Sequence, residues 1–155
     1  MGTRSTDRSA PGFTIVELMV VVAILGVLAT GAVLGWPPIE AALRLEAATH
    51  QLAADLHDAR ILAIASAARA RLVFTRGAGS YRVEQADDDG VYHRIAVRPL
   101  PRGIAVADAN SGGDLVFTPR GNGENGSVVL VDRRGLHATL RLNQRGRVTI
   151  DGGRT

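Results

Sequence analysis

Nineteen consecutive residues from Leu18 to Trp36, LMVVVAILGVLATGAVLGW, carry no charge. Wound as a helix at ~1.5 Å per residue they extend roughly 28 Å, about the thickness of a bilayer's hydrocarbon core. A buried core helix needs no apolar run this long, and a cleaved secretory signal has a shorter one, so the run predicts a retained membrane helix. Gly26, Gly31 and Gly35 fit that role, because a lipid-embedded helix satisfies its backbone internally. Arg4 and Arg8 precede the run and Arg44 follows it. This bias predicts a single pass, with a cytoplasmic N-terminus and the remainder beyond the membrane.

At the start of the run Glu17 stands directly against apolar residues. A carboxylate at that depth is costly and needs a cation, yet no basic residue occurs between Arg8 and Arg44. A new α-amine, exposed by cutting the chain nearby, would supply the charge. Gly12-Phe13-Thr14-Ile15-Val16-Glu17, followed by the apolar helix, resembles the processing site of type IV pilins and type II secretion pseudopilins. The resemblance implies a leader, residues 1–12, removed by a prepilin peptidase after Gly12. It further implies N-methylation of Phe13 and pairing of Glu17 with a neighbouring subunit's N-terminal amine during assembly. Removing the leader would lower the net charge from +3 to +2, too small an excess to point to a polyanion partner.

Pro37-Pro38 is expected to kink or interrupt the helix at the membrane exit. Beyond it Leu45, Ala48, Leu52, Leu56, Ala59 and Ala63 recur every three or four residues, predicting an amphipathic helix from about Ile39 to about Arg69. Glu40 and Arg44 have a favourable i,i+4 spacing. From Arg71 onward short β-branched runs alternate with turns. The expected strands are Arg71–Thr75, Tyr81–Gln85, His93–Arg98, Gly103–Ala107, Asp114–Thr118, Ser127–Val131, Ala138–Asn143 and Arg147–Ile150. Strands so closely spaced predict an antiparallel sheet, and the amphipathic helix would cover one face of it. The fold class is therefore α+β, divided as leader 1–12, transmembrane and assembly helix 13–36, amphipathic helix 37–70 and antiparallel β-sheet domain 71–155.

Phe117-Thr118-Pro119-Arg120-Gly121, the strand from Gly126 to Leu130 and Asn143-Gln144-Arg145-Gly146-Arg147-Val148 together resemble the GspH/FimT group of minor pilins. Ala59-Arg60 and Ala63-Ile64 resemble the end of that group's long helix. The resemblance implies a pilin-like fold and a minor pseudopilin role, as component H of a type II secretion system. Its partners would be prepilin peptidase, other major and minor pseudopilins, the bacterial inner membrane and secreted cargo proteins, with the sheet domain in the periplasm.

Other features suggest chemistry more weakly. Gly121 to Gly126 matches G-x-G-x-x-G, but a strand follows where a dinucleotide site needs a helix, and Asn125-Gly126 is a favoured hairpin turn. His50 and His57, near Asp55 and Asp58, are spaced for exposed helix positions rather than zinc ligation. Asp87-Asp88-Asp89-Gly90 lacks calcium-loop spacing and is expected to be a solvated turn. His93 and His137 have no suggestive neighbours, no serine or threonine has an evident base, and the chain holds no cysteine. No cofactor is implied, and the protein is expected to be a substrate for an enzyme rather than one itself. Residues 115–155 hold seven arginines against three acids. Arg133, Arg134 and Arg147 would hold a phosphate backbone in the alternative of a FimT-like minor type IV pilin for pilus assembly or DNA uptake. The glycine-arginine-x-arginine motif of its DNA-binding members is incomplete here, because Thr149 follows Gly146-Arg147-Val148.

Overall fold

The computed structural model describes residues 14–153, apart from the side chains of residues 30–39, 111 and 153. Leader residues 1–12 and Phe13 lie outside the described residues. One helix, α1 (Ile15–Ala65), opens the described chain, and eight strands follow. The chain divides into two compact units at Pro38, and each is described by itself.

In the first unit every described side chain from Thr14 to Ala29 is exposed, Ile15 at 78% and Val27 at 73%. Among the described residues no helix is long and apolar enough to cross a membrane. The stretch of the run with described side chains ends at Ala29, short of the about 20 residues that a span requires. Of the expected kink or interruption at Pro37-Pro38, the interruption does not occur, because the helical backbone runs on through both prolines. Proline's fixed φ is itself helical, so each proline here removes an amide donor without ending the helix.

In the second unit the periodic stripe is the helical half of the core: Leu45, Ala48, Leu52, Leu56, Ala59 and Ala63 are all buried. Thr49, buried on the same face, is satisfied because its hydroxyl donates to the Leu45 carbonyl at 2.7 Å. Glu40 and Arg44 form the expected ion pair. The helix ends at Ala65, four residues before the expected stop. There the Ser66 amide and hydroxyl both donate to the Leu62 carbonyl, and Ala67 turns left-handed at φ +52°. A left-handed residue past the last turn is the usual helix stop, although glycine commonly fills it.

All eight expected strands form, with ends shifted by at most three residues: β1 (Ala70–Phe74), β2 (Ser80–Ala86), β3 (Tyr92–Pro99), β4 (Ile104–Ala109), β5 (Asp114–Phe117), β6 (Gly126–Asp132), β7 (His137–Leu142) and β8 (Val148–Gly153). They make two antiparallel sheets where one was expected, ordered β3-β2-β1-β5 and β4-β6-β7-β8. Pro99 and Pro101 bracket the first switch between sheets, since neither can donate an amide to extend a ladder. The chain switches again between β4 and β5, and a third time through the loop 118–125 between β5 and β6, so Asn125-Gly126 closes no hairpin. Leu72, Tyr81, Leu115 and Phe117 of the first sheet and Val106, Val128, Leu130 and Leu140 of the second pack in one core cluster with the helical stripe.

At the margin of the first sheet β3 is exposed along most of its length, including Ile95 and Val97. Its register slips between Arg94, opposite Glu84, and Ala96, opposite Val83, leaving Ile95 as the extra residue of a bulge.

Candidate functional site

The described part of the expected processing and assembly segment begins with a cap. Thr14 precedes the first helical residue, its Oγ1 accepts the Glu17 amide at 3.2 Å, and its carbonyl accepts the Leu18 amide at 3.2 Å. Thr14-x-x-Glu17 has the capping-box pattern, a signal present in the sequence that identifies Thr14 as the N-cap of the helix carrying Glu17. Glu17 lies in the first helical turn, where the helix dipole favours a negative charge. It is exposed and has no cationic partner among the described residues. Gly12 and Phe13 lie outside the described residues.

The motif residues of the second unit converge at the end of α1. Arg60 Nε donates to the Gly121 carbonyl at 2.9 Å. Gly121 is left-handed at φ +76°, and a Cβ there would stand 2.8 Å from Ile64 Cδ1. Gly146, at φ +70°, lies so close that its Cβ would collide with the Gly121 carbonyl and stand 3.0 Å from Arg60 Nε. Asn143 shapes the turn that carries Gly146, its Oδ1 accepting the amides of Arg145 at 3.0 Å and Arg147 at 2.9 Å. The Gly123 amide reaches the Gln144 carbonyl at 3.2 Å. The Gly121-to-Gly126 stretch is therefore a clasp between the helix end and two turns, and it leads into β6 rather than a helix.

The structure does not bring Arg133, Arg134 and Arg147 together. Arg133 and Arg134 occupy the β6–β7 turn, whereas Arg147 lies in the β7–β8 turn, at the other end of β7. Six residues of strand put these turns about 20 Å apart. Arg147 instead lines a groove of about 480 Å³ with His57 and Arg60 of α1. Arg141 is occupied by Asp151 at 3.3 Å, and Arg154 lies outside the described residues.

Several of the remaining polar groups have structural partners. His57 and Asp58 are exposed as expected, and His50 is exposed with Glu46 at 3.9 Å. Asp55 is half-buried: it accepts the Tyr81 hydroxyl and has Arg98 at 3.7 Å. Burial, reinforced by Asp55, pushes the Tyr81 hydroxyl far above its ordinary range. Asp87 organises its exposed turn, with Oδ1 accepting the amides of Asp89 and Val91 and Oδ2 lying 2.6 Å from His93 Nε2. That gives His93 a partner where none was expected. The His93 contact and the Val91 amide hold the Asp87 carboxyl below the usual carboxylate range. On the first sheet, Arg71 bridges Glu84 at 2.8 Å and Asp114 at 3.1 Å and stacks 3.8 Å above the Tyr92 ring. Among the described residues no group of three or more acids or histidines is placed to hold a metal ion.

Comparison with known proteins gives this geometry its family. The prokaryotic N-terminal methylation motif matches residues 7–33, and the family described as type II transport protein GspH matches residues 48–153. The chain belongs to the GspH family. Among solved structures, this GspH-family chain is similar to the minor pseudopilin EpsH from the type II secretion system of Vibrio cholerae. The TM-score is 0.60 at 11% identity, covering 70% of this chain and 97% of that one. It is also similar to the type IV minor pilin FimU of Pseudomonas aeruginosa, with a TM-score of 0.54 at 16% identity, over 69% of this chain and 92% of that one. No curated protein matches the sequence significantly. The family and the α+β pilin-like fold are those of structural pilins and pseudopilins, not of enzymes.

Proposed function

We propose that the protein is a minor pseudopilin of a type II secretion system. In this reading prepilin peptidase cuts after Gly12 and Phe13 is N-methylated. The subunit then joins other major and minor pseudopilins at the tip of a periplasmic pseudopilus, where it helps initiate assembly or contacts secreted cargo. The observation that carries the proposal is the uncovered apolar helix from Ile15 to Leu28, directly behind the methylation motif. Apolar surface that a chain does not bury itself must be covered by lipid or by other chains. Both covers are used in turn: the helix anchors the subunit by a single pass through the inner membrane, and extraction exchanges lipid for neighbouring helices. Glu17, without a cationic partner among the described residues, then pairs with a neighbour's N-terminal amine and sets register.

The test is mass spectrometry of the protein purified from its native envelope. A chain beginning with N-methyl-Phe13 is expected, and one that retains residues 1–12 would overturn the proposal. Gly12→Ala should leave the leader attached. Glu17→Ala should be processed but poorly incorporated, and normal secretion by that variant would remove the register role. The likeness to FimU supports a second reading, a minor type IV pilin for pilus assembly or DNA uptake. Deletion would then abolish piliation or transformation while leaving protein export intact. The separation of Arg147 from Arg133 and Arg134 weighs against one phosphate-binding surface built from all three.

A further inference from the structure

Beneath the β3–β4 and β6–β7 turns lies a pocket of about 140 Å³, lined by Arg44, Arg102, Gly103, Asp132, Arg133 and Arg134 among others. Its charges are unevenly satisfied. Arg44 pairs with Glu40, but among the described residues Arg102, Arg133 and Arg134 have no carboxylate within ion-pair distance. The Arg133 side chain is laid over the β3–β4 turn, so that a Cβ on Gly103 would stand 3.6 Å from its Nε. Asp132 is 7% exposed. Its Oδ1 accepts the amides of Arg134 and Leu136 at 2.8 Å each, while its buried Oδ2 has no hydrogen-bond partner among the described residues. A buried carboxylate oxygen without a donor is costly, and three free guanidinium groups favour an anion.

A bare anion answers only half of this. Inorganic phosphate or a nucleic-acid backbone would suit the arginines, but it would set negative charge beside Asp132 and bring no donor to Oδ2. A ligand that joins a phosphate to a nearby primary ammonium answers both: guanidinium groups take the phosphate oxygens, and the ammonium donates to Oδ2. The ethanolamine phospholipid headgroup has that chemistry. Arg44 also follows Trp36 by only eight residues on the same helix. We infer that this pocket binds the headgroup of an ethanolamine phospholipid while the subunit is held in the membrane. The inference rests on reading residues 18–36 as a membrane anchor.

The full chain in detergent micelles is titrated with glycerophosphoethanolamine, glycerophosphocholine and inorganic phosphate, following the Leu136 amide and the arginine Nε–H signals by NMR. The ethanolamine compound should bind about tenfold more tightly than the other two, the scale of one charge-assisted hydrogen bond. Asp132→Asn retains the acceptor for the turn amides but places an NH2 group where Oδ2 stood. It should lose the ethanolamine preference and keep weak phosphate binding. Arg102→Ala with Arg133→Ala, on exposed side chains, should lose binding of all three. Equal affinity for the choline and ethanolamine compounds, a comparison that needs no variant, would overturn the inference. So would an unchanged preference in folded Asp132→Asn. In nanodiscs the same signals should shift when phosphatidylethanolamine replaces phosphatidylcholine, and no shift would overturn the lipid source. The anchor reading is tested separately: chain stripped from native membranes by alkaline carbonate would refute it, whichever way the titrations go.

Discussion

Gly146→Ala tests the clasp most directly, because Gly135 provides an internal control. Both glycines are left-handed, at φ +70° and φ +85°, but a Cβ on Gly135 meets nothing within 4 Å. Alanine at Gly135 should therefore cost only the left-handed backbone penalty, about 1–2 kcal/mol. At Gly146 the new methyl adds a collision with the Gly121 carbonyl, which is backbone and yields poorly, and it presses on Arg60 Nε. Loss of the hydrogen bond from Arg60 to Gly121 should add about 1.5–3 kcal/mol, the range for a bond to a charged group. The expected total is roughly 3–5 kcal/mol, a large part of the ~5–15 kcal/mol that stabilises a typical domain. Urea unfolding of residues 39–155, the unit that holds the whole core, provides the assay. At a slope near 2 kcal/mol/M the two alanine variants should differ in midpoint by about 1 M, with equal slopes. Midpoints within about 0.3 M of each other would show that the close approach of the two turns contributes nothing and would refute the reasoning.

Three further outcomes are expected. Ala67→Gly removes a left-handed penalty but loosens the unfolded chain, so the net stabilisation should be about 0.5–1 kcal/mol by the same urea assay. Thr14→Ala removes the cap on the first turn and should cost about 1 kcal/mol there, read as roughly fivefold faster amide exchange at Glu17 in the full chain. The depressed Asp87 carboxyl contributes stability that is present above the ordinary carboxylate range and is lost as pH falls toward its lowered midpoint. A carboxyl-detected NMR titration should place that midpoint below the ordinary aspartate value, and His93→Ala should move it upward.

What the sequence disclosed followed local periodicity. The stripe from Leu45 to Ala63 could be read because a helix returns each third or fourth residue to one face, and all six of its members are buried. The strands could be read because β-branched runs alternate with turn formers, and each appeared within a few residues of its expected place. Contacts between residues distant in sequence stayed hidden. Tyr81 meets Asp55 across 26 positions and Arg60 meets Gly121 across 61, and neither residue announces its partner. The division into two sheets depends on which edges pair, which alternation along one strand does not encode. Arg133, Arg134 and Arg147 are close in the chain, but a hairpin strand carries its two ends apart. The helix stop at Ala67 was missed because alanine, a strong helix former, occupies a position where glycine is the usual signal.

The bulge in β3 bears on how such a subunit stays single until it is needed. An open strand margin invites any other margin to zip onto it, and runaway stacking of that kind ends in aggregates. Ile95 interrupts the hydrogen-bonding rhythm, Pro99 withholds a donor, and Arg94 repels an identical neighbour. At this margin strand-to-strand growth is thereby disfavoured, and in the proposed assembly polymerisation is left to the greasy rod.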